Sequence, residues 1–134
     1  MIRGSCLCGA VAYQITTPIE EMHHCHCSRC RKHHGAAFST YAQVAASGFQ
    51  FTRGADRVRG HRSSEQVTRT FCADCGSNLQ FLFAGLPDLA WIAVGGFDDV
   101  PERRPSAHIF ATSKAPWHEI TDDLPQYVGY VPQG

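Results

Sequence analysis

The sequence predicts a mainly β protein built of antiparallel strands, and three observations carry that prediction. Apolar residues recur with period two in short segments, helical periodicity is almost absent, and glycine and proline punctuate the chain at intervals of about a strand's length. With 134 residues and a mass of 14.8 kDa, a single domain spanning residues 1–134 is expected. A chain of this size buries about two thirds of its unfolded surface, enough for a core that needs no covalent stapling.

The elements follow in order. Val11, Tyr13 and Ile15 alternate with small or polar residues, the pattern of a half-buried strand. Ser28 is placed to cap one helical turn through Arg29 to His34, which Gly35 would stop. Phe49 and Phe51 alternate again, as do Val67 and Phe71 on either side of Arg69. Residues 79–83 and 89–94 are nearly continuous apolar runs and read as strands crossing the core with both faces covered. Asp98-Asp99-Val100-Pro101 is placed to open a second helical turn, with Asp98-Asp99 after Gly95-Gly96-Phe97 read first as turn chemistry, and residues 107–111 read as a last strand. Residues 124–134 form an extended tail, loose or packed on a neighbour. Trp91 and Trp117 are expected in the core, and His108 as a structural histidine.

Composition narrows the class of partner. The chain has 12 Lys plus Arg against 12 Asp plus Glu, 18% charged and 43% hydrophobic residues, which excludes a disordered chain. No apolar run approaches the roughly 20 residues of a membrane helix. Met1-Ile2-Arg3-Gly4 runs into cysteines rather than an apolar signal segment, so a cytoplasmic protein is expected. Arg53, Arg57, Arg59, Arg62 and Arg69 form a basic stretch without interleaved aromatics, the mark of a solvated strand face rather than of a nucleic-acid surface.

The chemistry lies in seven Cys and eight His. Seven is odd, so disulfides would leave a spare thiol, and the cysteines cluster at chelating spacings: Cys6 and Cys8; Cys25, Cys27 and Cys30; Cys72 and Cys75. Cys8 and Cys75 are each followed by glycine, whose positive φ lets backbone N–H groups turn back toward sulfur. Those two pairs are therefore read as halves of one closed four-thiolate structural zinc site. The trio has three ligands and leaves a fourth position open, as catalytic zinc sites do. The alternative is a second closed site completed by His23, His24, His26 or His34. A zinc ribbon of Cys27/Cys30 with Cys72/Cys75 fits less well, because 41 residues intervene and Cys6 and Cys8 are stranded.

The stretches Gly4-Ser5-Cys6-Leu7-Cys8-Gly9-Ala10-Val11, Cys25-His26-Cys27-Ser28-Arg29-Cys30-Arg31-Lys32, Phe71-Cys72-Ala73-Asp74-Cys75-Gly76-Ser77 and Gly96-Phe97-Asp98-Asp99 resemble the glutathione-dependent formaldehyde-activating enzyme and centromere protein V (GFA/CENP-V) family. His108-Ile109-Phe110 and Lys114-Ala115-Pro116-Trp117 extend the likeness over nearly the whole chain. The resemblance implies a β-tent fold, similar to that of methionine sulfoxide reductase B. It also implies a structural zinc on Cys6, Cys8, Cys72 and Cys75 and a catalytic zinc on Cys25, Cys27 and Cys30. The implied activity is that of a carbon–sulfur lyase written in reverse, in which glutathione and formaldehyde give S-hydroxymethylglutathione.

On that reading the open zinc binds the thiol as thiolate or polarises the aldehyde, and Arg29, Arg31 and Lys32 offset the site's negative charge and meet the substrate. A proton for the hydroxymethyl oxygen comes from His26, His33 or His34, with His26 counted in the catalytic set. Two other readings stand beside it. A non-catalytic zinc module that binds a macromolecule, as the centromere branch suggests, needs a second site closed by histidine. A thiol redox protein needs the trio free of metal and able to form a disulfide.

Overall fold

The computed structural model describes residues 1–132 as ten strands, one α-helix and four single turns of 3-10 helix. They are β1 (Ile2–Ser5), β2 (Ala12–Ile15), β3 (Glu21–Cys25), α1 (Ser28–His34), β4 (Ser39–Ala45), β5 (Phe49–Arg53), β6 (Val58–Arg62), β7 (Val67–Cys72), β8 (Asn78–Phe83), β9 (Leu89–Ala93) and β10 (Ala107–Ile109). The strands form a three-stranded sheet, β1-β2-β5, and a seven-stranded sheet, β10-β3-β4-β9-β8-β7-β6. Every pairing is antiparallel except β10 on β3 at the edge.

The small sheet packs its alternating residues against one face of the large one. Val11, Tyr13 and Ile15 meet Val44, Cys72, Leu79, Ala90 and Ile92, and all eight are buried. Tyr13 stacks on Phe49 with ring centroids 4.9 Å apart. Truncating Ile15 or Leu79 to Ala would cost about 2–5 kcal/mol, because so dense a cluster collapses only in part around the void.

The opposite face of the large sheet carries a second apolar cluster of Cys25, Cys30, Tyr41, Ala93 and Ile109, with Phe81, Trp91 and Phe110 against it. The residue runs expected to be covered on both faces are therefore covered by the core on one side and line a cavity on the other. Leu79 lies in the core and Phe81 in the second cluster, only two positions on, which a regular strand forbids. The pairing resolves this. Arg69 faces Phe81 and Phe71 faces Asn78, so β8 advances three residues while β7 advances two, and the extra residue reverses the faces.

Two expectations about local structure change. The helix starts at Ser28 and its cap is Cys27, whose Sγ accepts from the N–H of Cys30 at 3.4 Å; Gly35 ends it at φ 60° as anticipated. The last strand stops at Ile109 because Phe110 takes a positive φ of 52°. The tail turns back on its own chain: His108 N–H donates to the Pro125 carbonyl and Tyr127 N–H to the His108 carbonyl, both at 2.9 Å. Tyr130 then packs edge-on against Phe110, centroids 5.0 Å apart. Residues 133–134 of the expected tail lie outside the described residues. Residues 98–101 open no helical turn: Asp98 and Asp99 instead accept from Ser5 and Arg3 and pin β1.

Candidate functional site

Two cysteine clusters form among the described residues. Cys6, Cys8, Cys72 and Cys75 make one and Cys25, Cys27 and Cys30 the other, with the sulfurs in each within 4.8 Å of one another. The quartet joins the β1–β2 turn to the β7–β8 turn. Gly9 and Gly76 have φ of 79° and 80°, as their places after Cys8 and Cys75 predict. Those turns bring N–H groups onto sulfur: Val11 N–H reaches Cys6 Sγ at 3.2 Å, and the backbone N–H groups of Ala10 and Ser77 serve Cys8 and Cys75. Ser77 stitches the halves together, its Oγ accepting from Leu7 N–H at 2.8 Å and lying 3.3 Å from Cys75 Sγ. That hydroxyl, followed by backbone N–H groups, pulls the Cys75 thiol down to about 5. Four sulfurs in one cluster, three of them met by backbone N–H donors, suit a closed tetrahedral zinc.

The trio is built differently. Cys25 ends β3, Cys27 caps α1 and Cys30 sits in its first turn, so one short strand-to-helix corner brings three sulfurs together. Cys27 is the thiol that ionises first, pulled far below the usual range by hydrogen bonds from Cys25 and Cys30 and by helix N–H groups, while the same contacts hold Cys25 up. The donor set fits zinc with one position left for a ligand from outside the chain. Of the histidines proposed to close it, none joins the cluster.

The counter-charge comes from a residue the sequence reading left on a solvated face. Arg69 is 3% exposed, and its Nη1 and Nη2 lie 3.7 and 3.9 Å from Cys30 Sγ. Its Nε donates to Ser63 Oγ at 3.1 Å and its guanidinium stands 5.1 Å from the Phe81 ring centre. The signal was present in the sequence: Arg69 shares its strand face with Val67. Arg29 lines the cavity, but Arg31 and Lys32 do not; Arg31 donates instead to the His26 carbonyl.

A second missed residue is Tyr41. Asn78 Nδ2 donates to the His33 carbonyl and to His34 Nδ1, which places the His34 proton on Nε2, 2.9 Å from Tyr41 Oη. Arg69 Nη1 also reaches Tyr41 Oη, at 3.5 Å. The hydroxyl thus accepts twice and keeps its own proton for the cavity it lines. Burial raises its pKa, so that proton stays on. His34 is held neutral at about 4, first by burial and then by His33 and Arg69.

His26 lies elsewhere. It is fully buried among Phe38, His108 and His118 and is absent from the cavity wall. Asp122 accepts from His108 Nε2 at 3.0 Å, so His108 Nδ1 accepts from His26 Nε2 at 2.7 Å, and the His26 proton is already committed. Its Nδ1 is a buried acceptor without a partner among the described residues. Burial, with His108 next, lowers its pKa to about 4. His108 is the hydrogen-bonded structural histidine anticipated. Trp91 stands half-buried on the cavity wall, and Trp117 is 72% exposed rather than in the core.

The cavity over the trio measures about 640 Å³. Cys25, Cys27, Cys30, Tyr41 and Arg69 form its reactive end.

Comparisons with known proteins agree with this architecture. The family model described as "Glutathione-dependent formaldehyde-activating enzyme" matches residues 1–113. A protein from Halomonas elongata, named "Putative glutathione-dependent formaldehyde-activating enzyme", is 26% identical over 127 residues, covering 90% of this chain and 81% of that protein. A relative of the same name from Podospora anserina is 33% identical over 76 residues, and the match spans 55% of this chain but 36% of that longer protein. A crystal structure of a Rhodobacter sphaeroides protein superposes with a TM-score of 0.63 at 23% identity, over 75% of this chain and 92% of the other, a likeness of fold. The chain belongs to the glutathione-dependent formaldehyde-activating enzyme family.

Proposed function

We propose that this chain is a zinc-dependent carbon–sulfur lyase of its family's type, which joins a thiol of the glutathione class to a small aldehyde and reverses that addition. The observation that carries the reading is the contrast between the clusters: four cysteines close one site, while three cysteines leave the other open at the foot of a cavity.

In the forward step the thiol sulfur bonds to the aldehyde carbon, the carbonyl π pair moves to oxygen, and the thiol proton is released while oxygen gains one. Nothing is oxidised. Cys25, Cys27 and Cys30 would hold the zinc, which when bound supplies a Lewis acid that favours the thiolate form of the incoming thiol. Arg69 balances the negative charge of the sulfurs, and its bonds to Cys30 and Tyr41 lock both in place. Tyr41 offers the unspent hydroxyl proton to the developing alkoxide, a role earlier assigned to His26, His33 or His34. His34 and Asn78 orient that hydroxyl from behind. Residues 1–132 form one zinc-stapled unit in this reading, suited to a reducing cytoplasm that keeps seven thiols free to bind metal.

The test is Cys25→Ser. Zinc per chain should fall from two to one, and formation of the S-hydroxymethyl adduct, followed by NMR, should fall to the uncatalysed rate. Retention of both zinc and product would sink the proposal.

A further inference from the structure

The cavity walls are more apolar than formaldehyde and the polar backbone of glutathione call for. Its volume of about 640 Å³ lies in the range of a drug-sized ligand. Phe81, Phe83, Leu86, Trp91, Ile109 and Phe110 supply those walls. Phe81 and Trp91 meet edge-on at 5.7 Å, making an aromatic corner in the cavity wall.

Charge points the same way. Glutathione carries two carboxylates and one ammonium, and a carboxylate is held most strongly inside a cavity by a guanidinium. Among the described residues, three fully charged side chains reach the cavity: Glu21, Arg29 and Arg69. Glu21 repels a carboxylate and suits only an ammonium. Arg69 is committed to Cys30, Tyr41 and Ser63. Arg29 donates to the Ser63 carbonyl through Nη1 and has its remaining N–H groups free. One available guanidinium against a wall of six apolar side chains recognises an adduct whose bulk is apolar.

Building on the lyase reading, we infer that the adduct formed here carries an aromatic or branched aliphatic group beside the carbon–sulfur bond, packed in the corner of Phe81 and Trp91, with one anionic end held at Arg29 and any other left in water. The reaction balances as before: sulfur bonds to carbon, the carbonyl π pair becomes the hydroxyl lone pair, and one proton moves from thiol to oxygen. The apolar group arrives on the aldehyde or on the thiol, and the experiment separates the two.

Zinc-loaded full-length protein carrying Trp117→Phe retains Trp91 as its single tryptophan and is titrated by fluorescence with S-methylglutathione and S-benzylglutathione. The benzyl compound should bind at least about tenfold more tightly, because the added ring is removed from water against the apolar wall. Phe83→Ser and Leu86→Ser, both at the cavity's outer wall, should each shrink that ratio severalfold. Equal affinities, or a ratio that neither substitution moves, overturn the inference.

Turnover is measured alongside by NMR. Faster adduct formation from glutathione with phenylacetaldehyde than with formaldehyde supports an aldehyde-borne group, and faster formation from benzyl mercaptan with formaldehyde than from glutathione supports a thiol-borne one. Turnover of glutathione and formaldehyde without benzyl preference overturns the apolar substrate class and leaves the lyase reading standing. Benzyl preference with no turnover of any pair overturns the lyase reading and leaves the apolar binding site.

Discussion

The guanidinium of Arg69 grips the sulfur of Cys30 from a fully enclosed position, with two nitrogens at 3.7 and 3.9 Å. Burying a guanidinium costs several kcal/mol unless a partner charge repays it, and a thiolate cluster is such a partner. Arg69→Met keeps the volume and removes the charge. Its kcat should drop about 10²-fold, as expected when a preorganised charge leaves a water-poor site. Arg69→Lys should recover part of that loss, and zinc analysis of both variants separates lost catalysis from lost metal.

Tyr41 gives a sharper prediction, because removing its oxygen leaves the ring that packs 5.7 Å from Phe81. Tyr41→Phe should lower kcat about 10²-fold while KM changes little, the signature of a proton donor that acts in the transition state. A KM rise with unchanged kcat would show a binding role in its place. His34→Gln should show a smaller loss of kcat than Tyr41→Phe, since it disturbs only the orientation of the hydroxyl.

The two clusters should separate in stability measurements. Cys72→Ser breaks a buried ligand of the site that clamps the β1–β2 turn to the β7–β8 turn and should unfold the chain or lower its melting temperature steeply, because the binding energy of a structural zinc is folding energy. Cys30→Ser should remove one zinc with a smaller shift in melting temperature. Comparable shifts would mean that both clusters are structural.

Gly9 and Gly76 test the turns of the quartet separately from its sulfurs. Both have φ near 80° with open space where a Cβ would stand. Alanine at either position should cost about 1–2 kcal/mol through backbone strain alone. Denaturant melts of the zinc-loaded variants measure it.

His34 supplies a pH prediction whose sign follows from its environment. Its pKa falls from an unfolded value of 6.5 to about 4 in the fold, so the unfolded chain binds the extra proton first. The stability associated with its neutral form is present in full above about 6.5 and is lost as pH falls toward 4. Acid also releases zinc, so the measurement is a difference: the melting temperature of His34→Gln should fall less steeply from pH 6.5 to 4 than that of wild type.

The sequence by itself determined the parts that rest on local spacing. Alternation of Val11, Tyr13 and Ile15 made a strand with a buried face, because side chains of an extended chain must alternate. Glycines after Cys8 and Cys75 announced the positive φ values of the chelating turns, and the three cysteine groups sorted into a quartet and a trio because chelation needs close ligands. Strands β1, β3, β4 and β6 were not legible, since their residues show no clean apolar period.

Only the tertiary structure decided what surrounds the trio. His26, next in sequence to two of its cysteines, turns instead to His108, which Asp122 holds, because in extended chain just past β3 adjacent side chains point opposite ways. Arg69 and Tyr41, 39 and 11 positions from Cys30, reach it through sheet pairing and one irregular register between β7 and β8. Local spacing can name metal ligands, but the groups that balance their charge and handle the proton come from strands whose neighbours are set by the whole sheet.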